Sequence, residues 1–259
     1  MILEGRVCVV SGVGPGLGRQ VALEAARQGA DLVLAARRRE VLEAVAAEVG
    51  EIGRRALVVP TDVTDRGQCE ALAMATLTEY GRVDALVNNA YKEDVFQPFD
   101  QVDLDQWRRL TEVSLFGNLQ VTQAFVGPLK EGGGGAVVFV NSMVTKKPSM
   151  NQGGYATAKG GLLVAARVLA SELGAYNIRV NSVLPGWMWG PNVELYVKLM
   201  ADQRGVDRQD IVDEITAPMA LPAIPTDAEV AGTVVFLASP LAAGMTGQEV
   251  NVNGGEVFG

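Results

Sequence analysis

Short apolar runs alternate along the chain with longer segments in which apolar residues recur every three or four positions. The short runs are rich in valine and leucine and show little polar alternation, a pattern typical of parallel strands buried on both faces. They predict strands at residues 6–10, 31–36, 56–59, 85–88, 136–140, 179–184 and 249–252. The periodic segments predict helices at residues 19–28, 38–49, 68–79, 106–125, 155–173 and 227–239. We therefore predict an α/β fold with a doubly wound parallel sheet flanked by helices.

No low-complexity linker divides the chain, so residues 1–259 are predicted to form a single domain. The glycines at residues 132–135 are interpreted as a turn before the fifth strand. The alternation of strands and helices is interrupted from about residue 187 to residue 225, where proline, tryptophan and methionine are frequent. We interpret this segment as an insertion that covers one edge of the sheet.

Composition excludes several classes of function. The net charge is −8, whereas a protein that binds nucleic acid through its phosphates needs a surplus of lysine and arginine. No apolar run reaches the roughly 18 residues of a membrane span, and the first residues lack the basic start of a secretory signal. Cys8 and Cys69 fit no metal or redox spacing. The sequence therefore favours a cytoplasmic protein with no metal site, no membrane segment and no nucleic-acid partner.

The chain contains no histidine. This excludes Ser-His-Asp and Cys-His nucleophilic sites as well as metal sites built on histidine. Any acid or base that works near neutral pH must then be a tyrosine, lysine, aspartate, glutamate or cysteine with a perturbed pKa.

A glycine-rich loop, residues 11–18, follows the first predicted strand and leads into the first helix. Glycines let the backbone turn tightly and approach a pyrophosphate, and the following helix N-terminus offers free N–H groups to that anion. The context of strand, loop and helix that a dinucleotide site requires is present. The predicted contacts are Gly12, Gly14, Gly16, Leu17 and Gly18. The alternative is a tight turn that binds nothing.

The second predicted strand ends at Ala36 and is followed by three arginines. A site for NAD usually has a carboxylate near this point, where it binds the ribose 2′-hydroxyl. The guanidinium of Arg37 or Arg38 would instead suit the 2′-phosphate of NADP. Because basic residues at a helix N-terminus are slightly unfavourable without an anion, the sequence favours NADP. NAD, with the arginines simply solvated, is the alternative.

Tyr155 and Lys159 lie one turn apart on the same face of a predicted helix, and Ser142 follows the fifth strand. The Lys159 ammonium and the positive ring of an oxidised nicotinamide would lower the pKa of Tyr155. Tyr155 would then donate a proton to a carbonyl or accept one from an alcohol. Ser142 would hydrogen-bond the same substrate oxygen. The alternative is a chance pair on a helix surface.

Taken in order, the motifs resemble the short-chain dehydrogenase/reductase family over essentially the whole chain. They are Gly12-x-x-x-Gly16-x-Gly18, Asp62-Val63, Asn88-Asn89-Ala90, Ser142, Tyr155-x-x-x-Lys159, Asn181-x-x-x-Pro185-Gly186 and the tail from Thr246 to Gly255. The resemblance implies a Rossmann-type domain with seven parallel strands that forms a homotetramer or a homodimer, the tetramer being favoured.

The resemblance also implies positions around the cofactor. Asp62 and Val63 would lie beside the adenine, Asn89 and Ala90 along the adenosine side, and Lys159 on the nicotinamide ribose. Further cofactor contacts are predicted at Pro185, Gly186 and Met188.

Three residues depart from the family pattern. Ser114 stands where the family has a catalytic asparagine that helps to hold a proton-relaying water, and Asn118 is an alternative one turn later. Tyr91 replaces a glycine after Asn89-Ala90, and would narrow or reshape the cleft. Gly190 replaces a threonine that contacts the cofactor in many relatives. We keep Ser114 as a catalytic candidate, with the route of the proton beyond Lys159 open.

The predicted substrate loops carry large apolar side chains, among them Tyr91, Met143, Trp187 and Trp189. Such a set favours a lipophilic or aromatic ketone or secondary alcohol as the small-molecule substrate. A 3-oxoacyl thioester is the alternative within the family. A catalytically silent cofactor-binding or scaffold protein is the alternative from another class, and Ser114 and Tyr91 are the residues that keep it open.

Overall fold

Seven strands form the centre of the protein in a computed structural model that describes residues 1–259. They are β1 (Val7–Ser11), β2 (Asp31–Ala36), β3 (Ala56–Pro60), β4 (Ala85–Asn88), β5 (Gly135–Val140), β6 (Ile178–Pro185) and β7 (Glu249–Val252). All pair in parallel in one sheet of order β3-β2-β1-β4-β5-β6-β7. The seven predicted strands are confirmed, each to within one residue at either end.

Nine α-helices flank the sheet. They are α1 (Leu17–Arg27), α2 (Arg39–Glu51), α3 (Arg66–Tyr80), α4 (Leu104–Thr111), α5 (Asn118–Glu131), α6 (Gly153–Leu173), α7 (Pro191–Arg204), α8 (Arg208–Thr216) and α9 (Asp227–Ala238). This arrangement confirms the predicted doubly wound α/β class and the Rossmann-type architecture. None of the nine helices is long and apolar enough to cross a lipid bilayer.

The core lies on both faces of the sheet. One cluster of 28 buried residues includes Val10 and Leu32 and packs the sheet against α1, α2 and α9. A second cluster of 22 buried residues includes Val9 and Val33 and packs it against α3, α5 and α6. Neighbouring residues of one strand belong to opposite clusters because side chains alternate across a strand. This is why the strands read as continuous apolar runs.

The single helix predicted over residues 106–125 is wrong. The chain forms α4, then a π-helical segment (Glu112–Gly117), then α5. Gly117 packs so closely on Val63 that a Cβ at this position would lie 2.5 Å from Val63 Cγ2. The wider π turn therefore lets α5 approach the segment after β3.

The segment predicted as an insertion, residues 187–225, contains two helices that the sequence reading did not assign. Pro191 stands at the start of α7, and Gly205 ends it with φ +66°. The helices share a small cluster of five buried residues, Val197, Ala201, Ile211, Ile215 and Ile224. This cluster is separate from the two that pack against the sheet.

Candidate active site

A cleft opens where the order of the strands reverses, between β1 and β4. Ligands of doubly wound folds bind at this position, beyond the carboxyl ends of the strands. The cleft contains a cavity of about 530 Å³. It brings together these predicted site residues: Gly12, Gly14, Gly16, Leu17, Gly18, Asn89, Tyr91, Ser142, Met143, Tyr155, Lys159, Pro185, Gly186, Trp187 and Met188. Outside its walls lie Arg37, Arg38, Asp62, Val63, Ala90, Ser114 and Trp189.

The glycine loop at one end of the cavity is tightly folded. Gly12 has φ +89°, and a Cβ there would overlap the backbone of Ala90. A Cβ at Gly18 would overlap the carbonyl oxygen of Gly12, which accepts a hydrogen bond of 2.8 Å from Asn89 Nδ2. Gly14, by contrast, faces open space, and no side chain caps α1 at Gly16. The loop therefore leaves free N–H groups facing an open cradle, which fits the diphosphate of a dinucleotide.

The ends of β2 and β3 form the neighbouring surface. Arg37 and Arg38 are both exposed there. Thr64 donates two hydrogen bonds to the Asp62 carboxylate, of 3.0 Å from its N–H and 2.7 Å from its hydroxyl. These bonds hold the pKa of Asp62 below its usual value, and the charge of Arg37 adds to the effect. This surface thus carries a carboxylate that is fixed by hydrogen bonds and two guanidinium groups that are exposed to solvent.

Ser142, Tyr155 and Lys159 come together deeper in the cavity. Ser142 follows β5, and its Oγ accepts a hydrogen bond of 3.2 Å from the N–H of Val144. Tyr155 and Lys159 lie on α6, and Lys159 Nζ is 5.7 Å from the centre of the Tyr155 ring. Lys159 is 2% exposed, and its Nζ donates a hydrogen bond of 2.7 Å to the carbonyl of Val140. The helical spacing thus presents a phenol and an amine to the same space as the Ser142 hydroxyl.

Burial sets the pKa values of the two titratable groups at this site. It raises the pKa of Tyr155 to about 12, although a hydrogen bond with Ser142 works in the opposite direction. Burial also lowers the pKa of Lys159 to about 7. The expected lowering of the Tyr155 pKa depends also on the positive ring of an oxidised nicotinamide and stays a prediction. Tyr155 is a protonated phenol at neutral pH, and Lys159 changes charge near pH 7.

Two residues that the sequence reading missed hold the start of α6. Asp94, in the loop after β4, accepts a hydrogen bond of 2.7 Å from the N–H of Tyr155. The ring of Trp107 lies against Gly153 and Gly154, where any added Cβ would approach it to within 2.5 and 2.7 Å respectively. The catalytic candidate Tyr155 is thus positioned by contacts from α4 and the loop before it. A lone carboxylate and a lone tryptophan carry no sequence signature for this role.

Ser114 and Asn118, the two candidates for the proton relay, are buried and bonded to the backbone. Ser114 Oγ accepts a hydrogen bond of 3.0 Å from the N–H of Lys92. Asn118 Nδ2 donates to the carbonyls of Ala90 and Ser114, each at 2.9 Å. Both side chains therefore hold the loop after β4 against the π turn. Neither is hydrogen-bonded to Lys159, which donates its hydrogen bond to the carbonyl of Val140.

The other side of the cavity carries aromatic and polar groups. Tyr91 packs edge-on against Tyr155 with ring centres 6.4 Å apart, and Trp187 packs on Tyr196 with the rings tilted and their centres 5.3 Å apart. Trp189 packs on the small cluster of α7 and α8. Lys147 donates a hydrogen bond of 2.8 Å to Glu256, and both residues line the cavity. The lining is therefore more polar than the predicted substrate residues alone suggest.

Known proteins resemble this chain over nearly its whole length. A family model described as enoyl-(acyl carrier protein) reductase matches residues 12–256. The 7alpha-hydroxysteroid dehydrogenase of Escherichia coli (strain K12) is 29% identical over 98% of this chain and 95% of its own length. The 3-oxoacyl-[acyl-carrier-protein] reductase of Thermotoga maritima is 31% identical over 100% of both chains. The solved structure of carveol dehydrogenase from Mycobacterium avium in complex with NAD has a TM-score of 0.92 and 26% identity, covering 98% of each chain.

The chain belongs to the short-chain dehydrogenase/reductase family. The resemblance that the sequence motifs indicated is thereby confirmed. The protein is an oxidoreductase that acts on the alcohol and carbonyl pair, CH–OH and C=O.

Proposed function

We propose that this protein transfers a hydride between a nicotinamide dinucleotide and a ketone or secondary alcohol, with Tyr155 as the acid or base. The proposal depends chiefly on one observation: Ser142, Tyr155 and Lys159 line the same cavity as the glycine loop. The dinucleotide supplies or accepts the hydride when it is bound. The protonated phenol of Tyr155 donates its proton to the carbonyl oxygen in the reductive direction. The Ser142 hydroxyl holds that oxygen in place.

Different residues of the cleft bind different parts of the dinucleotide. The N–H groups of the glycine loop bind its diphosphate. Asn89 supports this loop from β4 through its bond to the Gly12 carbonyl. Lys159 binds the nicotinamide ribose. Pro185, Gly186 and Met188, at the end of β6, border the nicotinamide.

NADP is the proposed form of the cofactor. Its support is the pair of exposed guanidinium groups at Arg37 and Arg38, where a 2′-phosphate would find two cations suited to bidentate contacts. NAD is the alternative, since the carveol dehydrogenase that resembles this chain is in complex with NAD.

The proposed substrate is a lipophilic or aromatic ketone or secondary alcohol. Met143, Trp187 and Met188 give the cavity an apolar portion beside the Tyr155 hydroxyl. The names of two similar proteins point the same way, since they act on a hydroxysteroid and on carveol. A 3-oxoacyl thioester is the second candidate, favoured by the full-length similarity to the Thermotoga maritima reductase.

Titration with NADPH and NADH, followed by a carbonyl screen with the tighter-binding cofactor, tests this proposal. We expect tighter binding of NADPH, and turnover of cyclic or aromatic ketones in preference to polyols. The matched variant Tyr155→Phe should keep its dinucleotide affinity and lose at least about 1,000-fold in kcat/KM. Near-normal turnover by that variant would refute the role of Tyr155. Dinucleotide binding without turnover of any carbonyl or alcohol would favour the catalytically silent alternative.

We further propose that the protein is a homo-oligomer, with the tetramer favoured. Three apolar side chains on the π turn and α6 are each at least half exposed: Phe116, Val164 and Val168. Such exposure is expected of a surface that another copy of the chain covers in the oligomer. Light scattering coupled to size-exclusion chromatography measures the assembly, and a monomer at micromolar concentration would contradict this proposal.

A further inference from the structure

Asp227, the first residue of α9, places a carboxylate in the wall of the cavity beside the glycine loop. The residue is only 9% exposed. A Cβ built on Gly16 would lie 3.1 Å from Asp227 Oδ2, and one built on Gly190 would overlap it. The carboxylate thus lies between the start of α1 and the start of α7. It occupies the space that a side chain at Gly190 would fill.

The carboxylate has no partner in the protein. Neither a hydrogen bond nor a cation contributes to its electrostatics, whereas burial raises the pKa of Asp227 and the charge of Glu194 on α7 adds to the effect. Burial raises the pKa of the Tyr91 phenol, and the charge of Asp227 adds to this effect. Arg19, the first arginine of α1, is hydrogen-bonded to Glu48. The carboxylate therefore lies at the N-terminal ends of α1, α7 and α9, whose partial positive charge stabilises it, and the end of α1 is also the one that faces the cradle of the glycine loop.

We propose that Asp227 lowers the affinity of the protein for its dinucleotide, because its carboxylate repels the diphosphate held by the glycine loop. This inference depends on the dinucleotide site proposed above. Two negative groups at close range repel each other, and the repulsion is stronger where protein rather than water surrounds them. A weaker complex releases its cofactor faster, and release limits the turnover of many enzymes. Asp227 would thus lower the affinity for the cofactor and raise the rate at which the cofactor exchanges.

The variant Asp227→Asn removes the charge and keeps the size of the side chain. We expect it to bind NADP⁺ about tenfold more tightly than the wild type in isothermal titration calorimetry, which corresponds to roughly 1.4 kcal/mol. ADP-ribose, which carries the diphosphate without the nicotinamide, should gain by a similar factor. Asp202→Asn, which removes an exposed charge from α7, serves as the matched control and should leave both affinities unchanged.

Three results would overturn the inference. Unchanged affinity in Asp227→Asn would show that the charge does not reach the diphosphate. Weaker binding of NADP⁺ with unchanged binding of ADP-ribose would show that the carboxylate holds the nicotinamide amide. Failure of both wild type and variant to bind either ligand would overturn the proposed dinucleotide site together with this inference. Asp227→Ser provides a second variant if Asp227→Asn unfolds, with thermal unfolding measured for each protein.

Discussion

The two walls of the cleft are built differently. The glycine loop and α6 rest on a sheet that is packed on both faces by clusters of 28 and 22 buried residues. The opposite wall, residues 186–226, is stabilised by the five-residue cluster of α7 and α8. Its outer surface leaves Leu195, Leu199 and Leu221 more than half exposed. The groups proposed for chemistry therefore lie on the wall with more buried contacts, and part of the substrate surface lies on the wall with fewer.

This difference indicates separate roles for stability and specificity. A wall with few buried contacts opens at a lower free energy than the core of the sheet. Such a wall can move over a substrate while the catalytic groups keep their geometry. Four predictions test whether the two walls contribute separately to stability, dinucleotide binding and substrate binding.

The largest effect is expected at the glycine loop. Gly12→Ala places a Cβ against the Ala90 backbone at a positive φ, and should lower the free energy of unfolding by about 3 kcal/mol. It should also weaken dinucleotide binding by at least about 100-fold. Gly14→Ala is the matched control for stability, because its Cβ meets nothing within 4 Å in the protein. Urea unfolding measures both variants, and NADPH titration measures Gly12→Ala. Equal losses of unfolding free energy in the two variants would contradict the close packing described at Gly12.

The second prediction compares two substitutions that each create a cavity, one in the core of the sheet and one in the cluster of α7 and α8. Leu86→Ala, in the core of the sheet, should lower the global free energy of unfolding by about 3 kcal/mol. Ile211→Ala, in the cluster of α7 and α8, should change the global value by less than about 1 kcal/mol. It should instead accelerate amide hydrogen exchange within residues 191–216. Equal global losses would show that the two walls unfold as one unit.

The third prediction concerns substrate affinity. Trp187→Ala should raise KM for a lipophilic ketone about tenfold, because the indole lines the cavity. The dinucleotide Kd should stay within about twofold of the wild type. Leu195→Ala is the control on the same wall, since this side chain is exposed. A parallel loss of dinucleotide affinity in Trp187→Ala would show that this wall also holds the cofactor.

The smallest effect, counted per pH unit, is expected from the buried amine on the α6 wall. The pKa of Lys159 is lowered by burial from its ordinary value of 10.5 to about 7 in the folded protein. Between these two pH values the unfolded chain keeps a proton that the folded protein has lost, so stability should rise with pH from about 7 to about 10. Lys159→Met should be more stable than the wild type at pH 7, and this gain should shrink by about 1 kcal/mol for each pH unit toward pH 10.

Denaturation at several pH values measures the effect of Lys159→Met. Lys198→Met, on exposed surface of α7, should show no such dependence. If the gain from Lys159→Met were the same at all pH values, the amine would not be the cause.

The sheet could be predicted closely because its strands are apolar on both faces. Residues 31–36, 85–88 and 249–252 match the observed strands at both ends. The π segment could not be predicted, because the apolar spacing of residues 106–125 continues through it. The break depends on the contact between Gly117 and Val63, which lie far apart in sequence.

The helices of the second wall were missed for a different reason. The tryptophans and prolines of residues 187–225 obscured a recognisable start signal, Pro191 at the first position of α7. The capping box between Asp207 and Asp210 was a further signal.

The candidate site was predictable where motifs exist. Ser142, Tyr155, Lys159 and the glycine loop converge in one cavity, as their spacing suggested. Asp94 and Asp227 were missed, because isolated acidic residues are common both in loops and at helix starts. The burial that raises the pKa of Tyr155 was also out of reach, since burial depends on the fold rather than on sequence spacing.

The contact between Trp107 and the two glycines at the start of α6 constrains how this protein can evolve. A larger residue at 153 or 154 would collide with the indole in its present position, so a smaller residue at 107 makes room for either glycine to be replaced. The reverse order passes through an intermediate in which the indole or the start of α6 has to move. Descendants that vary at these positions should therefore have acquired the change at 107 first, and reconstructed ancestors can show that order.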